Sequence, residues 1–236
     1  MALNIPFKEL RAELLHWLYP LYCPCCARSV ANNPRGICHS CLQRLPISPY
    51  HLSNENPIME RLYGRIPIQR GMSMLRYEKS GMAQALIHAL KYERRPEIGV
   101  TLGQKYGHKI LQKSTAPSDL FDAIIPVPLH EKKRLKRGYN QSEEFAKGMS
   151  QGLNIPIYDQ VLLRQRNAQT QTALSREQRW NNVAQDYILQ QSETLEGKHL
   201  LLVDDVLTTG ATLEACGRLL LSIPGLSLSV ATIAIA

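Results

Sequence analysis

The chain has 236 residues, with 28 basic and 20 acidic side chains, a net charge of +8 and six cysteines. That length exceeds a bare peptide module and suits one large domain or a core domain with a small appendage. At 44% hydrophobic and 20% charged residues it is neither wholly disordered nor an integral membrane protein.

No apolar run approaches the roughly 18 residues a spanning helix needs. Glu9, Arg11 and Glu13 stand where a signal peptide needs an apolar stretch, so the expectation is a cytoplasmic protein without stable membrane insertion. The spacing of Leu10, Leu14, Leu15, Leu18 and Leu21 predicts an N-terminal packing helix, which Pro20 limits. Five of the six cysteines then fall within 19 residues, as Cys23-Pro-Cys-Cys26 and Cys38-His-Ser-Cys41 with eleven residues between the pairs. Each pair can place two sulfurs on one metal through a tight turn. Four thiolates from Cys23, Cys26, Cys38 and Cys41 suit a structural tetrahedral zinc, with disulfides or redox cysteines as the alternative. Cys25 is then surplus, His39 is either an alternative ligand or a solvent-facing turn residue, and Cys216 reads as a core thiol.

A Pro, Asn and Ser-bearing stretch from Pro46 to Pro57 reads as a linker, which divides the chain into an N-terminal helix and metal module (1–45) and an α/β domain (58–236). Within that domain β-type runs at Met72–Tyr77, Ala123–Pro128, His199–Asp204 and Leu228–Ile235 alternate with helical patterns. The helices are expected at Met82–Tyr92, Ile98–Leu111, Ser142–Gly152, Ser175–Gln185 and Ala211–Leu221. Such alternation predicts a mainly parallel sheet flanked by helices, with ligands at the carboxyl ends of the strands. Charge is divided too: residues 1–182 carry 26 basic and 14 acidic groups, residues 183–236 only 2 and 6.

The most informative segment is HLLLVDDVLTTGATLEAC, residues 199–216. Leu200–Val203 make a buried strand, and Asp204 and Asp205 are expected to mark its end. Thr208, Thr209, Gly210, Ala211 and Thr212 then supply hydroxyls, N–H groups and a flexible glycine just before a helix, the chemistry of a monophosphate cradle. Two carboxylates beside a phosphate repel it unless they serve another part of the ligand. A ribose phosphate resolves this, because the carboxylates accept hydrogen bonds from ring hydroxyls while the loop takes the phosphate. The bland alternative is a strand and turn with no ligand. A P-loop nucleotidase is excluded, since neither Lys79-Ser80 nor Lys113-Ser114 follows a glycine.

VDDVLTTGAT resembles the phosphoribosyl pyrophosphate (PRPP) signature of type I phosphoribosyltransferases, and the chain as a whole is similar to the ComF/GntX family of competence-associated proteins. Further matches are IPVPLHEKKRLKRGYNQS (Ile125–Ser142), the pattern through Gln171, Leu174, Arg179 and Asn182, and the two C-x-x-C pairs. One departure is Asp186-Tyr187, where the family has Ala-Phe. The resemblance implies a small four-cysteine zinc module followed by a type I phosphoribosyltransferase-like domain. It implies that the turn after Ile125-Pro-Val-Pro128 holds the pyrophosphate of Mg²⁺-PRPP, through Pro128, Leu129, Lys132 and Arg137. The basic run Lys132–Arg137 suits a leaving pyrophosphate, although taken alone it reads as a solvated face. In family terms Arg166–Asn182 closes over the substrate, with Arg179 as its charge contact and Asp204 and Asp205 as the catalytic carboxylates. Lys91 and Tyr92 either line the same mouth or end an ordinary helix.

Two functions follow from the resemblance. One is transfer of phosphoribosyl from Mg²⁺-PRPP to an unidentified nitrogen acceptor, in the context of natural transformation. The alternative is a non-catalytic PRPP sensor or single-stranded-DNA-binding competence factor, working with a DNA-uptake helicase or other competence proteins. For the second, basic groups from Arg61 to Arg95 and Lys132 to Arg137, interleaved with Tyr63, Tyr77, Tyr92 and Tyr139, suit backbone contacts and base stacking, although scattered tyrosines also serve as core or rim residues.

Overall fold

The computed structural model describes residues 21–30, 33–51, 55–114, 120–165, 186–190 and 192–236. The strands are β1 (Gly71–Arg76), β2 (Ala123–Pro126), β3 (Leu162–Arg164), β4 (Tyr187–Leu189), β5 (His199–Leu207) and β6 (Ser227–Ile235). The helices are α1 (His39–Gln43), α2 (Pro57–Leu62), α3 (Met82–Tyr92), α4 (Pro96–Lys113), α5 (Glu131–Arg137), α6 (Gln141–Leu153) and α7 (Ala211–Leu220). The expected N-terminal helix and the expected helix Ser175–Gln185 lie outside the described residues.

The apolar runs behave as continuous hydrophobic segments of a parallel sheet should, buried on both faces. Leu200, Leu201, Leu202 and Val203 are fully buried, as are Val230, Ala231, Ile233 and Ala234 of the neighbouring strand. The sheet has four parallel strands in the order β1-β6-β5-β2. Strand β5 runs further than the sequence indicates. Asp204 pairs with Thr232 and the ladder continues through Leu207 opposite Ile235, so the two aspartates lie within the strand near its carboxyl end. Strand β2 ends sooner, at Pro126, although the Val127 N–H still bonds the Val203 carbonyl at 2.9 Å. Pro128 has no N–H to extend the ladder.

Two features hold the site's supports. Helices α4 and α6 cross through glycines: a Cβ on Gly103 would stand 2.1 Å from the Phe145 carbonyl oxygen, and one on Gly148 2.0 Å from that of Val100. This close crossing fixes the start of α6 beneath the strand ends. That start is capped by buried Asn140, whose side chain accepts from the Ser142 N–H at 3.1 Å and donates to the Val127 carbonyl at 2.9 Å. On the other face α2 is capped by Asn56, which also donates to the Gly71 carbonyl at 2.9 Å and ties the helix to β1.

The cysteine segment rests on the same hydrophobic core. Cys23, Val30, Ile37, Cys41 and Leu42 cluster with Leu86, Leu90, Ile98 and Leu102. Buried Arg95 donates to the carbonyls of Tyr22 (3.1 Å) and Gly36 (3.0 Å), and the Thr101 hydroxyl donates to that of Arg35 (2.9 Å). Within the stretch expected to be a linker, the Ser48 N–H bonds the Met74 carbonyl and the Pro46 carbonyl accepts from Arg76, both at 2.8 Å along β1. No helix among the described residues is long and apolar enough to cross a membrane.

Candidate functional site

Strand β5 delivers the chain to Thr208, Thr209 and Gly210, and α7 begins at Ala211. Gly210 adopts φ +80°, and a Cβ there would approach Arg65 Nη1 to 3.0 Å and Leu62 Cδ2 to 3.1 Å. Both the backbone and the space therefore call for glycine. Residues Val206–Leu213, with Asp204, surround a small cavity of about 30 Å³ at the start of α7. Thr208 and Thr209 are exposed there, which leaves their hydroxyls available to a ligand.

This loop opens into a cavity of about 450 Å³ bordered by the ends of β2 and β5 and the start of α6. Asp204, Asp205, Thr208 and Thr212 border it from one side and Pro128, Leu129, Lys133 and Arg137 from another. The Ser142 hydroxyl donates to Asp204 Oδ1 at 2.9 Å, and the Asp205 N–H donates to the same oxygen at 2.8 Å. Asp205 Oδ2 meets Lys91 Nζ at 3.0 Å, so Lys91 does face the cavity. Burial, reinforced by the Asp205 charge, pushes the Asp204 carboxyl up to about 7. Lys91, Lys133, Arg137 and Arg164 together outnumber the two carboxylates, which makes the cavity suited to an anion with hydroxyl groups.

The basic run forms a helix, α5, none of whose residues is buried. Its periodicity turns Lys133 and Arg137 toward the cavity, whereas Lys132, a candidate from the sequence, does not border it. Arg137 lies 5.7 Å above the ring of Tyr92, which is 62% exposed, and donates to Gln141 Oε1 at 2.7 Å. That bond fixes the amide's orientation, because arginine has no acceptor, and leaves Gln141 Nε2 buried without a partner among the described residues. Arg179 lies outside the described residues.

Several residues of the site carry no clear signal in the sequence. Arg164 and Tyr187 end the antiparallel pair β3–β4 and border the cavity. Arg164 pairs with Asp186 at 2.8 Å and covers the Tyr187 ring at 5.3 Å, so the departure at Asp186-Tyr187 sits at the cavity itself. Ser142 appears in the sequence as the first residue of a helical pattern and the end of the matched segment Ile125–Ser142, with no role attached to it. A larger cavity of about 870 Å³ beside α2, bordered by Glu55, Asn56, Met59, Glu60 and residues 63–68, has neither the paired aspartates nor the threonine loop.

The second constellation is the cysteine cluster. The sulfurs of Cys23, Cys26, Cys38 and Cys41 lie within 4.8 Å of one another, with Cys26 and Cys38 at 3.6 Å. Zinc–sulfur bonds of about 2.3 Å require tetrahedral edges of about 3.8 Å, so the donor set fits the ion. The Cys41 N–H bonds Cys38 Sγ at 3.4 Å and draws that thiol down to about 7. Cys25 is not among the four, and burial pushes it up to about 12. His39 is exposed and beside Gln43, and Cys216 is fully buried.

Comparison with known proteins gives this geometry a context. The family model of the phosphoribosyl transferase domain matches residues 140–235, from the cap of α6 to the end of β6. The DNA utilization protein YhgH of Escherichia coli O157:H7 is 32% identical over 200 residues, covering 84% of this chain and 83% of that protein. The chain belongs to the ComF family. Competence protein F of Haemophilus influenzae is 29% identical over 199 residues, 81% of this chain and 86% of its own length. Competence protein ComFC of Bacillus subtilis is 28% identical over 99 residues, 42% of this chain and 38% of its own. The family's phosphoribosyltransferase domain thus carries the loop, both aspartates and Ser142 in this chain, and the four-cysteine cluster precedes it.

Proposed function

We propose that the protein binds Mg²⁺-PRPP in the 450 Å³ cavity and transfers its phosphoribosyl group to a nitrogen acceptor. The observation that carries this reading is that the 30 Å³ cavity of the loop and the 450 Å³ cavity share Asp204, Thr208 and Thr212 as walls, while Asp205, Pro128, Leu129 and Arg137 border the larger one. A ligand with a monophosphate, a vicinal diol and a diphosphate matches those three parts in order. Asp204 and Asp205 accept hydrogen bonds from the ribose hydroxyls, Ser142 orients Asp204, and the loop with the start of α7 takes the 5′-phosphate. Lys133 and Arg137 face the diphosphate, and Mg²⁺ would supply further charge neutralisation to it. The acceptor nitrogen bonds to C1 of the ribose as pyrophosphate leaves with the electron pair of the broken C–O bond, and the acceptor's proton passes to solvent. Stabilising the charge that develops on pyrophosphate is the main demand, and cations around an anionic leaving group meet it. Lys132 and Arg179 are further candidates for that charge.

The four cysteines would hold a structural zinc, whose closed coordination leaves no position for substrate. It staples a segment, proposed as residues 1–45, that is too short for a core of its own. The names of the relatives, DNA utilization and competence proteins, support a role in DNA uptake. A second reading, a single-stranded-DNA-binding competence factor without turnover, is favoured by one surface: α5 is solvated along its length and carries five cations beside exposed Tyr92.

The test is pyrophosphate release from Mg²⁺-PRPP across a panel of nucleobases and amines. Acceptor-dependent release supports transfer; PRPP binding without release under any acceptor supports the second reading.

A further inference from the structure

The phosphate loop is shaped by a short helix and the turn that follows it, which no sequence motif marks as part of the site. From α2, Arg61 Nη1 donates to the Thr208 carbonyl at 2.5 Å and, beyond it, to the oxygen of Ala236 at 2.6 Å. From the turn that follows α2, Arg65 Nη1 donates to the Thr209 carbonyl at 2.5 Å, while its Nε pairs with Glu214 Oε2 at 2.6 Å. Two consecutive carbonyls of the loop are therefore drawn to the α2 side by guanidinium groups.

Peptide planarity turns that into a statement about donors. In a trans peptide the C=O and the following N–H point in opposite directions. With the carbonyls of Thr208 and Thr209 held against α2, the N–H groups of Thr209 and Gly210 are directed away from it. Among the described residues neither N–H has a protein acceptor. Both are thus available to an anion at the start of α7, and hydrogen bonding of each carbonyl to a cation polarises its peptide and strengthens the N–H as a donor. Glu214 completes the arrangement. Its carboxylate is buried in the first turns of α7, where a negative charge opposes a bound phosphate, and it is neutralised by Arg65 and by Arg218 at 3.0 Å.

We infer that Arg61 and Arg65 are positioning residues for the 5′-phosphate cradle, acting through the Thr208 and Thr209 peptides rather than on the ligand itself. This inference rests on the PRPP reading above. Its distinguishing consequence is selectivity: the pair supports the monophosphate end of the ligand and leaves the diphosphate end untouched.

The experiment compares binding of ribose 5-phosphate, Mg²⁺-PRPP and Mg²⁺-pyrophosphate to the wild type and to Arg61→Ala, Arg65→Ala, Arg61→Lys and Arg65→Lys, with thermal unfolding of each protein recorded alongside. Loss of a polarised donor to a charged group corresponds to roughly tenfold or more. Each alanine variant should bind ribose 5-phosphate and PRPP about tenfold more weakly or worse and pyrophosphate within about twofold of wild type, and lysine should recover part of the loss. Variants that bind all three ligands as the wild type does, or that lose affinity for all three alike, overturn the inference. Should an alanine variant fail to fold, the lysine variant of the same position carries the comparison. A wild type that binds neither ribose 5-phosphate nor PRPP instead overturns the PRPP reading, and this inference with it.

Discussion

Replacing Asp204 by Asn should make the ligand-free protein more stable at neutral pH while disabling the cavity. Asp204 sits in a strand between buried Val203 and the Asp205 carboxylate, and its carboxyl is pushed from 3.8 up to about 7. The folded protein therefore holds a proton that the unfolded chain releases. Between pH 3.8 and about 7 stability falls as pH rises, and above that window the whole contribution is lost. A tenfold change in acidity corresponds to about 1.4 kcal/mol, and solvent at the cavity mouth screens part of it, which makes the contribution about 2–4 kcal/mol. Asparagine keeps the shape, and its Oδ1 still accepts from Ser142 and from the Asp205 N–H. At pH 8 the variant should unfold roughly 5–15 °C above the wild type for a domain of this size. The gap should close toward pH 4, where Asp204 is protonated in the folded protein and half protonated in the unfolded chain. Calorimetry or fluorescence-monitored melting between pH 4 and 8 reads both quantities. An Asp204→Asn protein no more stable than wild type at pH 8, or a gap that does not change with pH, would mean that burial does not hold a proton on this carboxyl.

Three further outcomes follow. Affinity for Mg²⁺-PRPP should rise with pH up to about 7 in the wild type, because the ionised carboxylate is the better acceptor for ribose hydroxyls, and be weak and flat in Asp204→Asn by titration calorimetry. Gly210→Val should lose monophosphate binding altogether and cost about 2 kcal/mol or more of stability, since φ +80° strains a β-branched residue and its Cβ meets Arg65; an unchanged melt and unchanged affinity contradict this. Elemental analysis should find about one zinc per chain, and Cys38→Ser or a strong chelator should remove it and lower the melting temperature, since Cys23 and Cys41 pack in the common core.

Much of the architecture is legible because parallel strands are continuous apolar runs and the larger helices are amphipathic. The helix Met82–Tyr92 has the limits its periodicity predicts, and the four sheet strands each lie within a few residues of their expected places. What the sequence conceals has physical causes. The length of β5 is hidden because carboxylates at positions 204 and 205 look like a strand end, whereas here the neighbouring strand pairs Asp204 and continues past both to Leu207. Strands β3 and β4 have three residues each, too few to carry a period. Arg61 and Arg65 read as basic surface, and their carbonyl partners lie 147 and 144 residues away in the chain. Arg95 falls in the same basic stretch, yet it is buried against the cysteine segment. Charge on a short helix says nothing by itself about whether it meets solvent, substrate or backbone. The candidate site is legible as separate chemistries, a loop, two carboxylates and a basic run. Their meeting in one cavity, and the choice of Lys133 over Lys132 as its wall, are products of the fold.

At the centre of this reading is a cavity that holds PRPP by its phosphate, its diol and its diphosphate together. The decisive measurement is titration calorimetry with Mg²⁺-PRPP on the full chain, run beside the Asp204→Asn and Asp205→Asn variants. Saturable binding with one site per chain is expected, weakened at least about tenfold in each variant. No binding by the wild type, or equal binding by all three proteins, would remove PRPP from the cavity.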